Sequence, residues 1–436
     1  MRAVVLAAIV LLGVEIQAFA ADPMPDAATH LARGDAWLNQ QDYDQAIVEY
    51  SAAIRLDSKN AWAYINRGAA WINKQDYDRA ITDYNEAIRL DPKNSWAYVN
   101  RGAAWTNKKD YDRAIADYDQ AIRFDPTSAE ACINRGAAWT NKKDYDRAIA
   151  DYSQAIRLDP TSAEAFNNRG AAWINKKDYD RAIADYDEAI RLDPKNPWAY
   201  INRGAAWINK EGYDQAIADF NEAIRLDPNV ANASSNLAEA YLKRGKAFLN
   251  RNDADSAMTD FNESIRLDPN DAKAFNNRGA AWFVKKDHDK ALADYSQAVR
   301  LDPNYQKAFY NRGIVWEKKK KFDKAMSDYQ EAIRLDSKYS RAYNRAAWLK
   351  ATCPDDQYHN GREAVELATR ANELTAWGVA SNLNTLAAAF AEAGDFDSAI
   401  KYQSKAIDLD LNNASFVKGA QEHLALFKDH KPIRDQ

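Results

Sequence analysis

The sequence predicts an all-α solenoid of about eleven helix–turn–helix units stacked in single file and closed by a C-terminal capping helix. Three observations predict it. The chain of 436 residues repeats with a period of 34, helical hydrophobic spacing occurs twice in each period, and Asp, Gly and Pro fall where helices would begin, cross and stop.

The period is set by Gly34, Gly68, Gly102, Gly136, Gly170 and Gly204, and after a seven-residue insertion by Gly245, Gly279 and Gly313. Trp follows three residues later in eight of these nine rows, with Phe248 in the ninth. In the row from Ser95 to Ser128, Tyr98, Gly102 and Trp105 share one helical face. Tyr111, Ala114, Ile115, Tyr118, Ala121 and Ile122 give the same period again, so each row holds two amphipathic helices. Asp110 stands at an N-cap, where its carboxylate can accept from amides of the first turn, and Asp recurs there in all rows but those of Gly212 and Lys321. Asp125-Pro126 stops the second helix, because Pro cannot continue the hydrogen-bond ladder. Gly102 lets the two helices approach closely.

Period 34, a small residue then an aromatic in the first helix, Ala, aromatic and Ala in the second, and a terminal Asp-Pro resemble the tetratricopeptide-repeat (TPR) family. The resemblance covers essentially the whole chain after its first segment. It implies a right-handed α-solenoid superhelix with an extended concave face lined by the first helices, and a protein or peptide partner rather than a reaction.

One slot departs from the family pattern. The usual Leu before the Gly is Arg in nine rows, among them Arg67, Arg101 and Arg135, and sixteen residues later stands an acid, here Asp83, Asp117 and Asp151. The first of the nine pairs is Arg33 with Glu49. In the last two rows Ala346 and Leu386 replace the Arg while Leu367 and Tyr402 replace the acid. An Arg at a packing slot needs a partner, so a repeated Arg–acid bridge between the two helices of each unit is expected.

Taken along the chain, residues 1–20 read as a signal peptide: Arg2 is the positive start, Ala3 to Val14 are apolar, and Ala18-Phe19-Ala20 is a small-x-small cleavage site. The protein is therefore expected to be exported, to the periplasm or beyond the cell, and no later segment is apolar enough to span a membrane. Residues 21–26 form a linker, 27–230 six units, and 238–339 units seven to nine. The seven residues 231–237 equal about two helical turns, which either lengthen a helix or form a joint. Residues 340–411 hold two divergent units, with an enlarged loop at Cys353-Pro354-Asp355-Asp356 and Asn360-Gly361. The Ala-Thr-Cys-Pro-Asp loop resembles the terminal pair of some bacterial TPR proteins. Residues 412–428 are the capping helix and 429–436 a loose tail.

Charge excludes some functions. The 59 Lys and Arg against 64 Asp and Glu are interleaved rather than blocked, which leaves no basic track for nucleic acid. Five His stand apart from one another and from Cys, so no metal or cofactor site is written, and no nucleophile motif marks an enzyme. Cys132 fills the slot of Tyr98 and should be buried, Cys353 more exposed, and the two lie too far apart in a solenoid to bridge.

Binding surface remains. A second stripe in the reference unit, Trp96, Val99, Ala103 and Thr106, is expected to line an apolar groove, with Trp62 and Trp198 at the slot of Trp96. Those Trp either pack on the preceding unit or anchor a ligand. Beside them runs Asn66, Asn100, Asn134, Asn168 and Asn202, resuming at Asn277 and Asn311. A similar row is found in the TPR superhelix of O-GlcNAc transferase, which implies side chains that hold the backbone of an extended peptide; the transferase's catalytic domain has no counterpart here. An amide offers one acceptor and two donors, the complement of a peptide unit, although the row is equally open to being an inherited pattern. Two other uses stay open: an envelope assembly scaffold working through its convex face or ends, and a carbohydrate or cell-wall binder stacking sugars on Trp.

Overall fold

A computed structural model describes residues 26–434, so the expected signal peptide at 1–20 lies outside the described residues. Every element among the described residues is helical, and the chain divides into two compact units, one ending at Pro194 and one beginning at Lys195. In the first unit, pair one is α1 (Ala27–Asn39) with α2 (Tyr43–Leu56), and pair two is α3 (Ala61–Asn73) with α4 (Tyr77–Leu90). Pairs three to five are α5 (Ser95–Asn107) with α6 (Tyr111–Phe124), α7 (Ala129–Asn141) with α8 (Tyr145–Leu158), and α9 (Ala163–Asn175) with α10 (Tyr179–Leu192).

The second unit opens with pair six, α11 (Pro197–Asn209) and α12 (Tyr213–Leu226), and pair seven, α13 (Ala233–Asn250) and α14 (Ala254–Leu267). Pairs eight and nine are α15 (Ala272–Val284) with α16 (His288–Leu301) and α17 (Gln306–Lys318) with α18 (Phe322–Leu335). Pairs ten and eleven, α19 (Ser340–Thr352) with α20 (Gly361–Leu374) and α21 (Ala380–Glu392) with α22 (Phe396–Leu409), precede the terminal α23 (Ala414–Lys428).

Local chemistry explains where each helix starts and stops. Asp110 accepts from the Arg113 amide at 3.1 Å and opens α6. Just before it Lys109 adopts φ 61°, and its amide and that of Asp110 close α5 on the carbonyls of Thr106 and Trp105, each at 2.9 Å. Asp125 turns the chain into the next pair by accepting from the Thr127 amide at 3.0 Å. Where the two helices cross, a Cβ on Gly102 would lie 2.7 Å from the Tyr118 ring, so only Gly permits the ring to seat there.

Each unit's core is a chain of small clusters rather than one mass. In pair two, Ile65, Ala80, Ile81, Tyr84 and Ala87 are buried together with Ala97 and Ala104 of the next helix. Each of pairs one to nine buries one such aromatic and several Ala, and a fully covered aromatic side chain stabilises by about 1.5–3 kcal/mol. Because part of each cluster comes from the following pair, a single pair could not hold its own core.

The irregular stretches in the second unit are packed. The inserted residues lengthen α13 to 18 residues against 13 in α11, starting from Asn232 at φ 67°, and Ala233 and Leu237 are buried with Ile201 and Phe220. Cys353, expected to be exposed, is only 1% exposed beside Tyr329 and Leu349. The enlarged loop folds over it through a short 3-10 turn at Asp356–Tyr358. The end of the chain, expected as a loose tail, also differs: Ile433 joins Phe427 and Leu386 in the terminal core, and Arg434 pairs with Glu392 at 2.7 Å. An apolar residue five beyond the helix end and an ion pair beside it hold the chain end back on pair eleven.

Candidate peptide-binding face

Arg101 stands where an apolar residue would separate the two helices, and its planar fork fits a carboxylate side-on. Its Nε and Nη2 donate to Asp117 at 2.8 and 2.6 Å, and Asp117 is 6% exposed. Arg67 meets Asp83 at 2.9 and 2.7 Å, and Arg135 meets Asp151 at 2.8 and 2.6 Å. The same two-point contact joins Arg169 to Asp185, Arg203 to Asp219, Arg244 to Asp260, Arg278 to Asp294 and Arg312 to Asp328. The hydrogen bonds that Arg67 donates to Asp83 hold its guanidinium above its ordinary pKa.

Pair one is the exception to the expected series. Arg33 is exposed, and Glu49 instead contacts His30 Nδ1 at 2.6 Å. Arg33 is the first such residue, and among the described residues no second helix precedes it.

Sequence reasoning missed a third contact of the same guanidinium. Arg101 Nη1 donates to Asn85 on the second helix of the preceding pair at 2.7 Å; Arg67 reaches Ser51 at 3.0 Å and Arg135 reaches Asp119 at 2.6 Å. One Arg therefore ties both helices of its own pair to the pair before. The signal lay in the residue directly after the buried Tyr of pairs one to five, which is Ser51, Asn85, Asp119, Ser153 or Asp187.

These contacts fix which face of the first helices is free. First helices of successive pairs touch, α3 with α5, α5 with α7 and α7 with α9, so their outward side chains share one surface within the first unit. The predicted apolar stripe is only partly on it. Ile65, Val99 and Ile133, and Ile201 in the second unit, are 4–8% exposed and belong to the pair cores, because that slot turns toward the second helix. Trp62 and Trp96 are each 53% exposed and Trp198 is 47% exposed. Trp105, in contrast, is half-buried beneath Arg113, whose Cζ lies 3.7 Å from a ring centroid.

The Asn row is half-buried throughout but not uniform. Asn66 donates to Asp35 at 3.0 Å and Asn100 to the Trp96 carbonyl at 2.9 Å. Asn134 and Asn168 have no side-chain hydrogen bond among the described residues. In the second unit Asn311 donates to Asn276 at 2.9 Å, while Asn202 and Asn277 are half-buried. A second row escaped the sequence reading. Asn73, Asn107, Asn141, Asn175 and Asn209 end their helices exposed, each donating to the carbonyl four residues back at 2.9–3.0 Å.

Tetratricopeptide-repeat profiles match residues 61–94, 95–128, 139–197, 238–271, 272–305, 307–339 and 380–413, and TPR-repeat profiles match 34–71 and 208–245. Together they cover well over half of the chain. The chain belongs to the tetratricopeptide-repeat family. This TPR protein thus shares the fold of a family of protein–protein interaction scaffolds that typically carry no catalytic centre. Solved structures similar to the TPR chain include the C-terminal part of a TPR repeat-containing protein from Cytophaga hutchinsonii, 20% identical, covering 57% of this chain and 98% of that one at TM-score 0.49. YrrB, described as a TPR protein with an unusual peptide-binding site, is 23% identical over 42% of this chain and 95% of its own at TM-score 0.36. The APC/C hetero-tetramer Cut9–Hcn1 matches at 15% identity, 93% and 90% coverage and TM-score 0.40. No curated protein matches the chain. Among the described residues no helix is long and apolar enough to cross a membrane.

Proposed function

We propose that this TPR protein is an exported, non-enzymatic scaffold that holds an extended polypeptide along the free face of its first helices. The observation that carries the reading is the pairing of exposed and unclaimed groups on that face: Trp62 and Trp96 stand half out of the protein while the amides of Asn134 and Asn168 make no internal bond. A half-buried amide without a partner favours an occupant that supplies alternating donors and acceptors, as a peptide backbone does. The export half of the reading rests on the charged, apolar and small-residue succession in residues 2–20.

The test is capture of peptides on an array by the chain lacking its first twenty residues, compared with the triple variant Asn100→Ala, Asn134→Ala, Asn168→Ala. A backbone-holding row predicts that the variant loses about tenfold in affinity for every captured peptide, whatever its side chains. Unchanged affinity in the triple variant removes the row from the function. A glycan array probed in parallel separates the rival use, in which sugar binding would be lost in Trp62→Ala and Trp96→Ala.

A further inference from the structure

We infer that the first-helix face of the unit ending at Pro194 selects polypeptide segments that carry Lys or Arg, an inference that rests on the peptide-holding reading and names its partner's chemistry. The second residue of each first helix there is Trp62, Trp96, Glu130 or Glu164, all exposed. Four residues later, on the same helical face, come Asn66, Asn100, Asn134 and Asn168. Each pair from two to five therefore carries one amide, free of internal bonds in pairs four and five, and one side chain that attracts positive charge. Trp does so through its ring face and Glu through its carboxylate.

The balance of charge on this face is one-sided. Arg67, Arg101, Arg135 and Arg169 spend their guanidinium groups inside the protein on Asp83, Asp117, Asp151 and Asp185. Lys74, Lys108, Lys142 and Lys176 stand at the C-terminal ends of the first helices and pair with Asp44, Asp78, Asp112 and Asp146. Glu130 and Glu164 contact no cation among the described residues, and partial desolvation of an otherwise exposed side chain together with the neighbouring Glu164 charge raises the Glu130 carboxyl above its ordinary pKa. Two carboxylates that repel each other, at the register position that two open Trp rings hold in pairs two and three, are relieved by a cationic guest and aggravated by an acidic one. Successive first helices lie about 10 Å apart, which an extended chain covers in about three residues. The fitting segment places a Lys or Arg at about every third position.

The test uses fluorescent peptides of about fifteen residues, repeating Lys-Ala-Ser, Gln-Ala-Ser or Glu-Ala-Ser, titrated by anisotropy against the mature chain at low and at physiological salt. The Lys peptide is expected to bind about tenfold tighter than the Gln peptide, and the Glu peptide weakest. In Glu130→Gln with Glu164→Gln, most of that preference and its salt dependence should vanish while circular dichroism stays unchanged; Trp62→Ala with Trp96→Ala should weaken the Lys peptide as well. The inference is overturned if the Glu peptide binds as tightly as the Lys peptide, or if the double Gln variant keeps Lys-peptide affinity within about twofold. Equal binding of all three peptides that is lost in the triple Asn variant would overturn this inference and leave the peptide-holding reading intact. Binding of none would overturn both.

Discussion

Pairs two to five and pairs ten and eleven solve the same packing problem with opposite chemistry. In the former a guanidinium sits between the helices and is held by an Asp of its own pair and a polar residue of the pair before. In the latter the Arg slot holds Ala346 and Leu386, and Leu386, Ala387, Ala388, Ala391 and Phe427 merge into one extended buried cluster. Amides there turn inward: Asn372 donates to the carbonyls of Ala368 and Asn382, and Gln403 to Asn384 and to the carbonyl of Ala420. The difference teaches what each region is for. A staple that reaches back to the previous pair fixes register and can be copied indefinitely, whereas an apolar cluster covered by α23 and the segment after it closes that side of pair eleven.

The sharpest way to break this contrast is to remove one acid. Asp117→Ala should destabilise pair three by about 3–5 kcal/mol, because Arg101 is left charged, half-buried and without its carboxylate. Hydrogen exchange of α5 and α6 amides, with α9 and α10 as internal reference, measures the local loss in a molecule whose unfolding need not be two-state. Adding Arg101→Leu should restore most of it, giving pair three the terminal pairs' chemistry. An equal cost of Asp117→Ala in both backgrounds would show the two residues uncoupled.

A finer contrast lies between two neighbouring rows. Tyr118 shares a hydrogen bond with Thr106 at 3.2 Å, but Tyr84 faces Ile72 and its buried hydroxyl has no partner. In the second unit Phe220 is buried in one cluster with Ile208 at its edge, the apolar version of the same pairing. Tyr84→Phe should therefore stabilise by about 1 kcal/mol and Tyr118→Phe destabilise by about as much, since the first removes an unmade bond and the second a made one. Thermal unfolding midpoints moving in the same direction would contradict this account.

Helix pairs were readable because caps and breakers act within a few residues: Asp110 and Asp125-Pro126 define their turns whatever surrounds them. The Arg–acid contact was readable for a different reason, a joint loss at two slots sixteen apart. What escaped depends on direction. Val99 falls within the helical stripe of Trp96, yet its side chain turns into the core, a rotation that hydrophobic spacing does not resolve. The third Arg contact uses Ser51, Asn85 or Asp119, and a slot filled by three residue types shows no pattern until the acceptor they share is recognised. Cys353 and Ile433 were misplaced because burial of a loop or a chain end depends on what folds over it.

The smallest effect is expected from the contact most often repeated on the surface. Lys108 Nζ pairs with Asp78 of the preceding pair, and the same pairing recurs from Lys74 to Lys319, so by number it rivals the buried staple. Its setting decides otherwise. The Asp78 side chain is 81% exposed, so water and salt screen the attraction, and holding a Lys side chain in one rotamer costs entropy of similar size. Lys108→Ala should therefore shift hydrogen exchange in α4 and α5 by no more than about 0.5 kcal/mol, and by nothing measurable at about 1 M salt. A loss approaching that of Asp117→Ala would mean that surface pairs, rather than the buried guanidinium, hold successive pairs in register.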